Sequence, residues 1–305
     1  MIEETRKELA EFLAEKRISQ RQAADESGLS AAVVSNFLKG TYTGDNAKAA
    51  ETLNSWLMLA KERLNSADRS EFYGDMHNTV RIISAAHYAH TYCEMILVYG
   101  DSGAGKTTAL KKYAAENAGV SYIAINSAER SAAAVLKRIA SELGRNAAGS
   151  CSDVMNRLVE FLKGTKRLII LDEADHLTIS ALDAVRNLND EAGAGIVLSG
   201  NYKLFNQLYF GARGAKSYEF DQLKSRLYLK KRITNGYKTE ELARIFPAAN
   251  KKALTLLKNI ADNESLRAAK KLYSLTMNNS EKTGTAFSEK IFLDTYKYFS
   301  EGVFR

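Results

Sequence analysis

A chain of 305 residues with 45% hydrophobic residues has room for two or three buried cores, which excludes global disorder. Two cysteines, Cys93 and Cys151, exclude a disulfide framework and fit a reducing cytoplasm, and no apolar run approaches the roughly 20 residues of a membrane span. The net charge of +7 points to a polyanionic partner, and one proline, where average usage would place about fifteen, allows long helices.

Residues 1–66 read as a small all-helical domain, with a charged amphipathic start rather than a signal peptide. Leu9, Phe12, Leu13 and Ile18 share helical spacing, and Leu53, Trp56, Leu57 and Leu64 form a later stripe. Between them Ala24 lies four residues before Gly28, and Leu29, Val34 and Phe37 follow. This segment resembles the helix-turn-helix of the phage repressor type: Gly28 permits the turn, Ser30 caps the second helix, and Val34 and Phe37 pack it on the first. The resemblance implies a helix in the major groove, exposing Ala31, Ala32, Ser35 and Asn36, with Lys39 beyond. Ser35 and Asn36 are the DNA contacts expected there. None of these can make the bidentate arginine contact that most often reads guanine, so binding is expected to be weak and little dependent on sequence. A helical bundle for protein contact is the alternative. Residues 1–64 hold nine Lys/Arg and ten Asp/Glu, so the rest of the chain carries +8.

Residues 67–79 read as a linker, and residues 80–235 alternate apolar strands with helical segments. Strands are expected at 95–99, 121–125, 167–171 and 195–199, the pattern of a parallel sheet covered on both faces. The first strand runs into Gly100-Asp101-Ser102-Gly103-Ala104-Gly105-Lys106-Thr107, a G-x-x-x-x-G-K-T phosphate loop, with Thr108 next in the helix. Its glycines let backbone N–H groups face a polyphosphate, beside the positive end of the helix that starts at Lys106. Lys106 is expected to reach the β- and γ-phosphates and Thr107 to bind Mg²⁺. The strand Leu168-Ile169-Ile170-Leu171 ends in Asp172-Glu173. Asp172 is expected to hold Mg²⁺ and Glu173 to deprotonate the attacking water, because an unpaired acidic pair on a buried strand has little structural use. Asp175 is expected to cap the next helix, with His176 beside the site. The strand at 195–199 ends in Gly200-Asn201, whose amide could hold the attacking water from the other side.

Between Arg213 and Lys238 eight Lys/Arg face only Glu219 and Asp221, which reads as a solvated helix face or as a surface for phosphates. Residues 236–305 look helical to the end. Their aromatics Phe292, Tyr296, Tyr298, Phe299 and Phe304 fit core packing better than a docking site.

These pieces together resemble the AAA+ ATPase family. The resemblance implies an α/β phosphate-loop core with a parallel sheet, preceded by the all-α helix-turn-helix domain and followed by a helical lid at 236–305. It implies ATP and Mg²⁺ as cofactors, Asn201 as the first sensor and Arg267 as the second. It also implies an arginine supplied to a neighbouring subunit, for which Arg226 is the best match and Arg232 the runner-up.

A narrower resemblance rests on Ala24 to Ser30, Tyr42-Thr43-Gly44-Asp45-Asn46, Asp172 to Leu177 and Gly195 to Asn201. Over nearly the whole chain it is similar to the Mu B family of phage transposition proteins. That resemblance implies ATP-dependent, largely non-specific binding of double-stranded DNA in a bacterial host cytoplasm, and self-association into a helical filament or ring. It implies delivery of target DNA to a cognate transposase, with ATP hydrolysis controlling disassembly. Arg130, Lys137, Arg145, Arg213 and Lys216 are the further candidates to face DNA phosphates. An AAA+ helicase loader and a nucleotide-switched transcription regulator are the alternatives. A metabolic kinase would need neither the N-terminal motif nor the basic balance.

Overall fold

The computed structural model describes residues 2–68, 72–210, 217–284 and 287–301. The chain forms two compact units, Met1–Glu71 and Phe72–Arg305.

In the first unit α1 (Ile2–Lys16), α2 (Gln20–Ser27), α3 (Ala31–Lys39) and α4 (Asn46–Asp68) surround one apolar core. Ser19 caps α2, and Gly28 ends it with φ of +76°, a left-handed conformation that glycine adopts without steric cost. Ser30 then accepts a hydrogen bond from the Val33 N–H at 3.3 Å and starts α3. Val34 and Phe37 are fully buried against Leu9, Leu53 and Leu57. Burying the Phe37 ring contributes about 2–3 kcal/mol. Helix α4 runs on through Ala67 and Asp68, the first two residues read as linker, because Lys61 to Leu64 are strong helix formers that carry it past Leu57.

In the second unit five parallel strands are ordered β2-β3-β4-β1-β5. They are β1 (Met95–Gly100), β2 (Val120–Ala124), β3 (Leu168–Asp172), β4 (Gly195–Gly200) and β5 (Leu227–Ile233). Before β1 lies α5 (His77–Tyr92), and α6 (Lys106–Glu116) follows it. Helices α7 (Ala132–Glu142) and α8 (Cys151–Leu162) separate β2 from β3, and α9 (Ile179–Ala192) follows β3. Helices α10 (Tyr202–Phe210) and α11 (Ser217–Arg226) lead from β4 into β5. Strand side chains alternate between two cores. Leu97, Ile169, Leu171, Ile196 and Leu198 pack on α7, α8 and α9, whereas Ile96, Val98, Leu168, Ile170 and Val197 pack on α5 and α6.

Beyond β5 the chain is helical: α12 (Thr239–Ile245), α13 (Lys251–Asn263), α14 (Leu266–Lys282) and α15 (Glu289–Glu301). Phe246, Leu257, Leu272 and Phe292 form their core. Phe292 is therefore core, while Tyr298 is 80% exposed. No helix among the described residues is long and apolar enough to cross a membrane.

Candidate nucleotide site

The site forms where β1, β3 and β4 end. Gly100 closes β1 with φ of +138°, and a Cβ there would lie 1.8 Å from the Ile233 carbonyl oxygen of β5. The Asp101 N–H donates to that same carbonyl at 2.9 Å, so the first turn of the phosphate loop is bonded to the sheet edge. Asp101 also accepts from the Asn235 N–H at 2.8 Å. On the lid side, a Cβ on Gly103 would meet Ser265 Cβ at 2.5 Å. The loop is thus held between the end of β5 and the start of α14.

Lys106, the first residue of α6, donates its ammonium to the carbonyls of Gly100 at 3.0 Å and Asp101 at 2.7 Å. Among the described residues no ion pair joins it to a carboxylate. Burial pulls its pKa down, and the negative charges of Asp172, Asp101 and Asp175 oppose that shift. A partly buried ammonium bonded only to loop carbonyls fits a polyphosphate that supplies the missing negative charge. Thr107 lies beside it, and Thr108 is exposed on the next position of α6.

Asp172 ends β3 at 2% exposure and accepts four hydrogen bonds. Thr107 Oγ1 and the Tyr122 hydroxyl each donate to Oδ2 at 2.7 Å, while Ser199 Oγ at 2.6 Å and the Glu173 N–H at 3.0 Å donate to Oδ1. Burial and the Asp172 charge push the Tyr122 hydroxyl far above the ordinary tyrosine range, so it remains a donor. Hydroxyl and carboxylate oxygens brought together at Thr107 and Asp172 are the donor set a hard divalent cation takes. Glu173 follows in the left-handed region, φ +56°, which turns its side chain out to 62% exposure. His176 Nε2 is 3.9 Å from Glu173 Oε2, the place beside the site expected for it.

The role expected for Asp175 is corrected. Thr178, not Asp175, caps α9, its hydroxyl accepting from the Ala181 N–H. Asp175 sits in a 3₁₀ turn, Ala174–His176, and accepts from Asn201 Nδ2 at 3.0 Å. The chain needs those extra residues after β3 to climb to α9. Asn201 lines a cavity of about 390 Å³ together with Gly100, Asp101, Ser102, Tyr202, Lys203 and Asn235.

The arginines fall in different places. Arg226, the last residue of α11, is bound to Asp190 of α9 at 2.7 Å. Arg232 lies at the end of β5 and donates to the Tyr202 hydroxyl at 2.7 Å, beside the cavity of its own chain. Arg267 is exposed in the first turn of α14.

Among the DNA candidates, Asn36 is exposed and Ser35 half-buried on α3. Arg130, Lys137 and Arg145 lie before, within and after α7. Arg130 precedes α7 and Arg145 follows it, about 16 Å apart along an 11-residue helix. The Arg130 carbonyl accepts from the Thr178 N–H and hydroxyl, both at 3.0 Å, whereas the Arg145 guanidinium stacks on Phe161 at 4.0 Å. Arg213 and Lys216 lie outside the described residues.

Tyr122, Ser199, Tyr202 and Asn235 are site residues that sequence reasoning missed. Ser199 alone carried a signal, as the polar end of an apolar strand beside Asn201.

A phosphate loop after β1, a carboxylate pair at the end of β3 with β4 between the two strands, and this sheet order define an AAA-type ATPase. In agreement, a family model described as an AAA domain matches residues 89–208. The ATP-dependent target DNA activator B of Escherichia phage Mu is 30% identical over 279 residues, 88% of each chain, and that of Escherichia phage D108 is similar to the same extent. The DNA transposition protein B of the Mu-like prophage FluMu of Haemophilus influenzae is 31% identical over 220 residues, 72% of this chain and 76% of that one. The chain belongs to the family of these phage target DNA activator B proteins.

Proposed function

We propose that this chain is an ATP-dependent, largely sequence-independent DNA-binding ATPase that assembles on target DNA and presents it to a cognate transposase. ATP hydrolysis then sets how long the assembly lasts. The observation that carries this reading is the bonded pair Thr107–Asp172 with Glu173 turned outward beside it, in a chain whose relatives are named ATP-dependent target DNA activators.

In this reading the loop from Gly100 to Thr108 holds the triphosphate, and Lys106 reaches its β- and γ-phosphates. Thr107 and Asp172 would hold Mg²⁺, which supplies Lewis-acid neutralisation of phosphate charge. Glu173 orients and deprotonates the attacking water, and Asn201 contacts the γ-phosphate. Arg267 completes the site from the lid. Arg226 serves the neighbouring subunit; it is bound to Asp190, whereas Arg232 is bonded to Tyr202 of its own cavity. DNA is held by phosphate contacts from the basic second unit, with a weak contribution from α3. That division follows the charge, which is −1 over residues 1–64 and +8 beyond.

Negative-stain microscopy with duplex DNA and a slowly hydrolysed ATP analogue tests the reading. Continuous protein coating along the duplex is expected, lost steeply as salt rises. Isolated particles beside bare DNA would overturn it.

A further inference from the structure

We propose that Asp175 is a positioning residue of the hydrolytic centre: it fixes the Asn201 amide with one N–H left to face the cavity, and ties that amide to the turn that follows Glu173. The inference rests on the reading of Asn201 as the γ-phosphate contact, and deepens it.

The geometry leaves little freedom. Asp175 is 8% exposed, at the centre of the turn Ala174–His176. Its Oδ2 accepts from Asn201 Nδ2 at 3.0 Å, and its Oδ1 faces the Asn201 backbone N–H at 3.4 Å. The last residue of β4, just before Asn201, is Gly200, where a Cβ would stand 2.9 Å from Asp175 Oδ1. Glycine is therefore what lets the carboxylate reach the backbone of β4. On its other side, Asn201 Oδ1 accepts from the Lys203 N–H at 2.7 Å. A backbone N–H can only donate, so the atom facing Lys203 is the amide oxygen and the atom facing Asp175 is the nitrogen.

With its oxygen turned to Lys203 and one N–H on Asp175, the amide has one donor left. A donor aimed at the attacking water would occupy one of its two lone pairs and draw density from the other, weakening the nucleophile. The same donor aimed at a phosphate oxygen stabilises charge as it develops. The amide is thus set to bind an anionic oxygen rather than to hold the water, which leaves the water to Glu173. Asp175 lies two residues beyond Glu173, which immediately precedes the turn Ala174–His176, so contact with the γ-phosphate at Asn201 and the placement of the base are tied to one turn.

A double-mutant cycle on ATP turnover by the full chain, with Mg²⁺ and saturating duplex DNA, tests this. Asn201→Ala and Asp175→Ala are each expected to lower kcat about 100-fold, with KM for ATP changed less than about threefold. The double variant is expected to fall no further than the slower single one, because both remove the same contact. Asp175→Asn keeps the volume and an acceptor oxygen, and is expected to recover about tenfold of the loss. Losses that multiply in the double variant would overturn the proposal, as would near-normal kcat for Asp175→Ala beside a slow Asn201→Ala. Normal kcat for Asn201→Ala would remove both the proposal and the reading of Asn201 beneath it. Should Asp175→Ala fail to show a melting transition, Asp175→Asn closes the same cycle. Its smaller loss must then vanish in the Asn201→Ala background, and a loss that persists overturns the proposal.

Discussion

The carboxylates and the arginines of the ATPase unit are completed to different degrees within one chain. Asp172 is buried and takes hydrogen bonds from Thr107, Tyr122, Ser199 and the Glu173 backbone, which come from four elements or their ends. Arg226 is 46% exposed and bound to Asp190, while Arg267 makes no hydrogen bond or ion pair among the described residues. A buried carboxylate has to be satisfied as the chain folds, or its desolvation goes uncompensated. An exposed guanidinium stays hydrated and can wait for a partner at little cost. Folding therefore fixes the carboxylate side, and the proposed assembly has only to add cations.

The largest expected effect sharpens the carboxylate side. Glu173→Gln removes the proposed base from an exposed side chain, so ATP turnover should fall about 1,000-fold while the melting temperature stays unchanged. DNA coating by this variant should outlast that of the native chain, read by light scattering after excess ATP is removed. Next, Arg226→Ala should lower DNA-dependent turnover about 100-fold. Mixing it with Glu173→Gln should restore part of the activity, since each subunit then supplies what its neighbour lacks. A mixture no more active than the variants alone would break the contrast, because Arg226 would then not act across subunits. A smaller effect is expected of Tyr122→Phe, which leaves Asp172 one donor short and should reduce stability to urea by about 1–2 kcal/mol. The smallest concerns the first unit. There Glu26 accepts from Gln22 and from Trp56 Nε1, and these bonds hold its carboxyl below the ordinary glutamate range. Its contribution should be present above that range and fade as pH falls through it toward the lowered folded value. Fluorescence of Trp56, the one tryptophan, should report this, and Glu26→Gln should remove that part of the slope.

Strands β1, β3 and β4 were legible as continuous apolar runs, the pattern of a strand covered on both faces, and the half-buried edge strand β2 as the shorter run Tyr122 to Ile125. The expected spans differ from the observed ones by no more than a residue at each end. Strand β5 was not legible. Lys230, Lys231 and Arg232 break its hydrophobic signal, although Leu227, Leu229 and Ile233 alternate inward. An edge strand needs only that sparse pattern, and the basic run reads equally well as a helix face. In the site, the phosphate loop and Asp172-Glu173 were legible because nucleotide chemistry demands those residue types at that spacing. Tyr122 and Asn235 were not. A tyrosine in a half-buried strand is ordinary packing, and Asn235 acts through contacts with Asp101 and with the Ser102 and Glu264 carbonyls that only the fold brings together.

The basic end of β5 carries one more consequence. Among the described residues this strand is an edge of the sheet, paired with β1 alone, and an edge exposes backbone groups that can pair with another chain. Lys230 and Arg232 stand exposed along it. Two such edges approaching each other would bring like charges face to face at strand spacing. In the assembly proposed above, with many copies along one duplex, this repulsion would keep the sheets from fusing into one another.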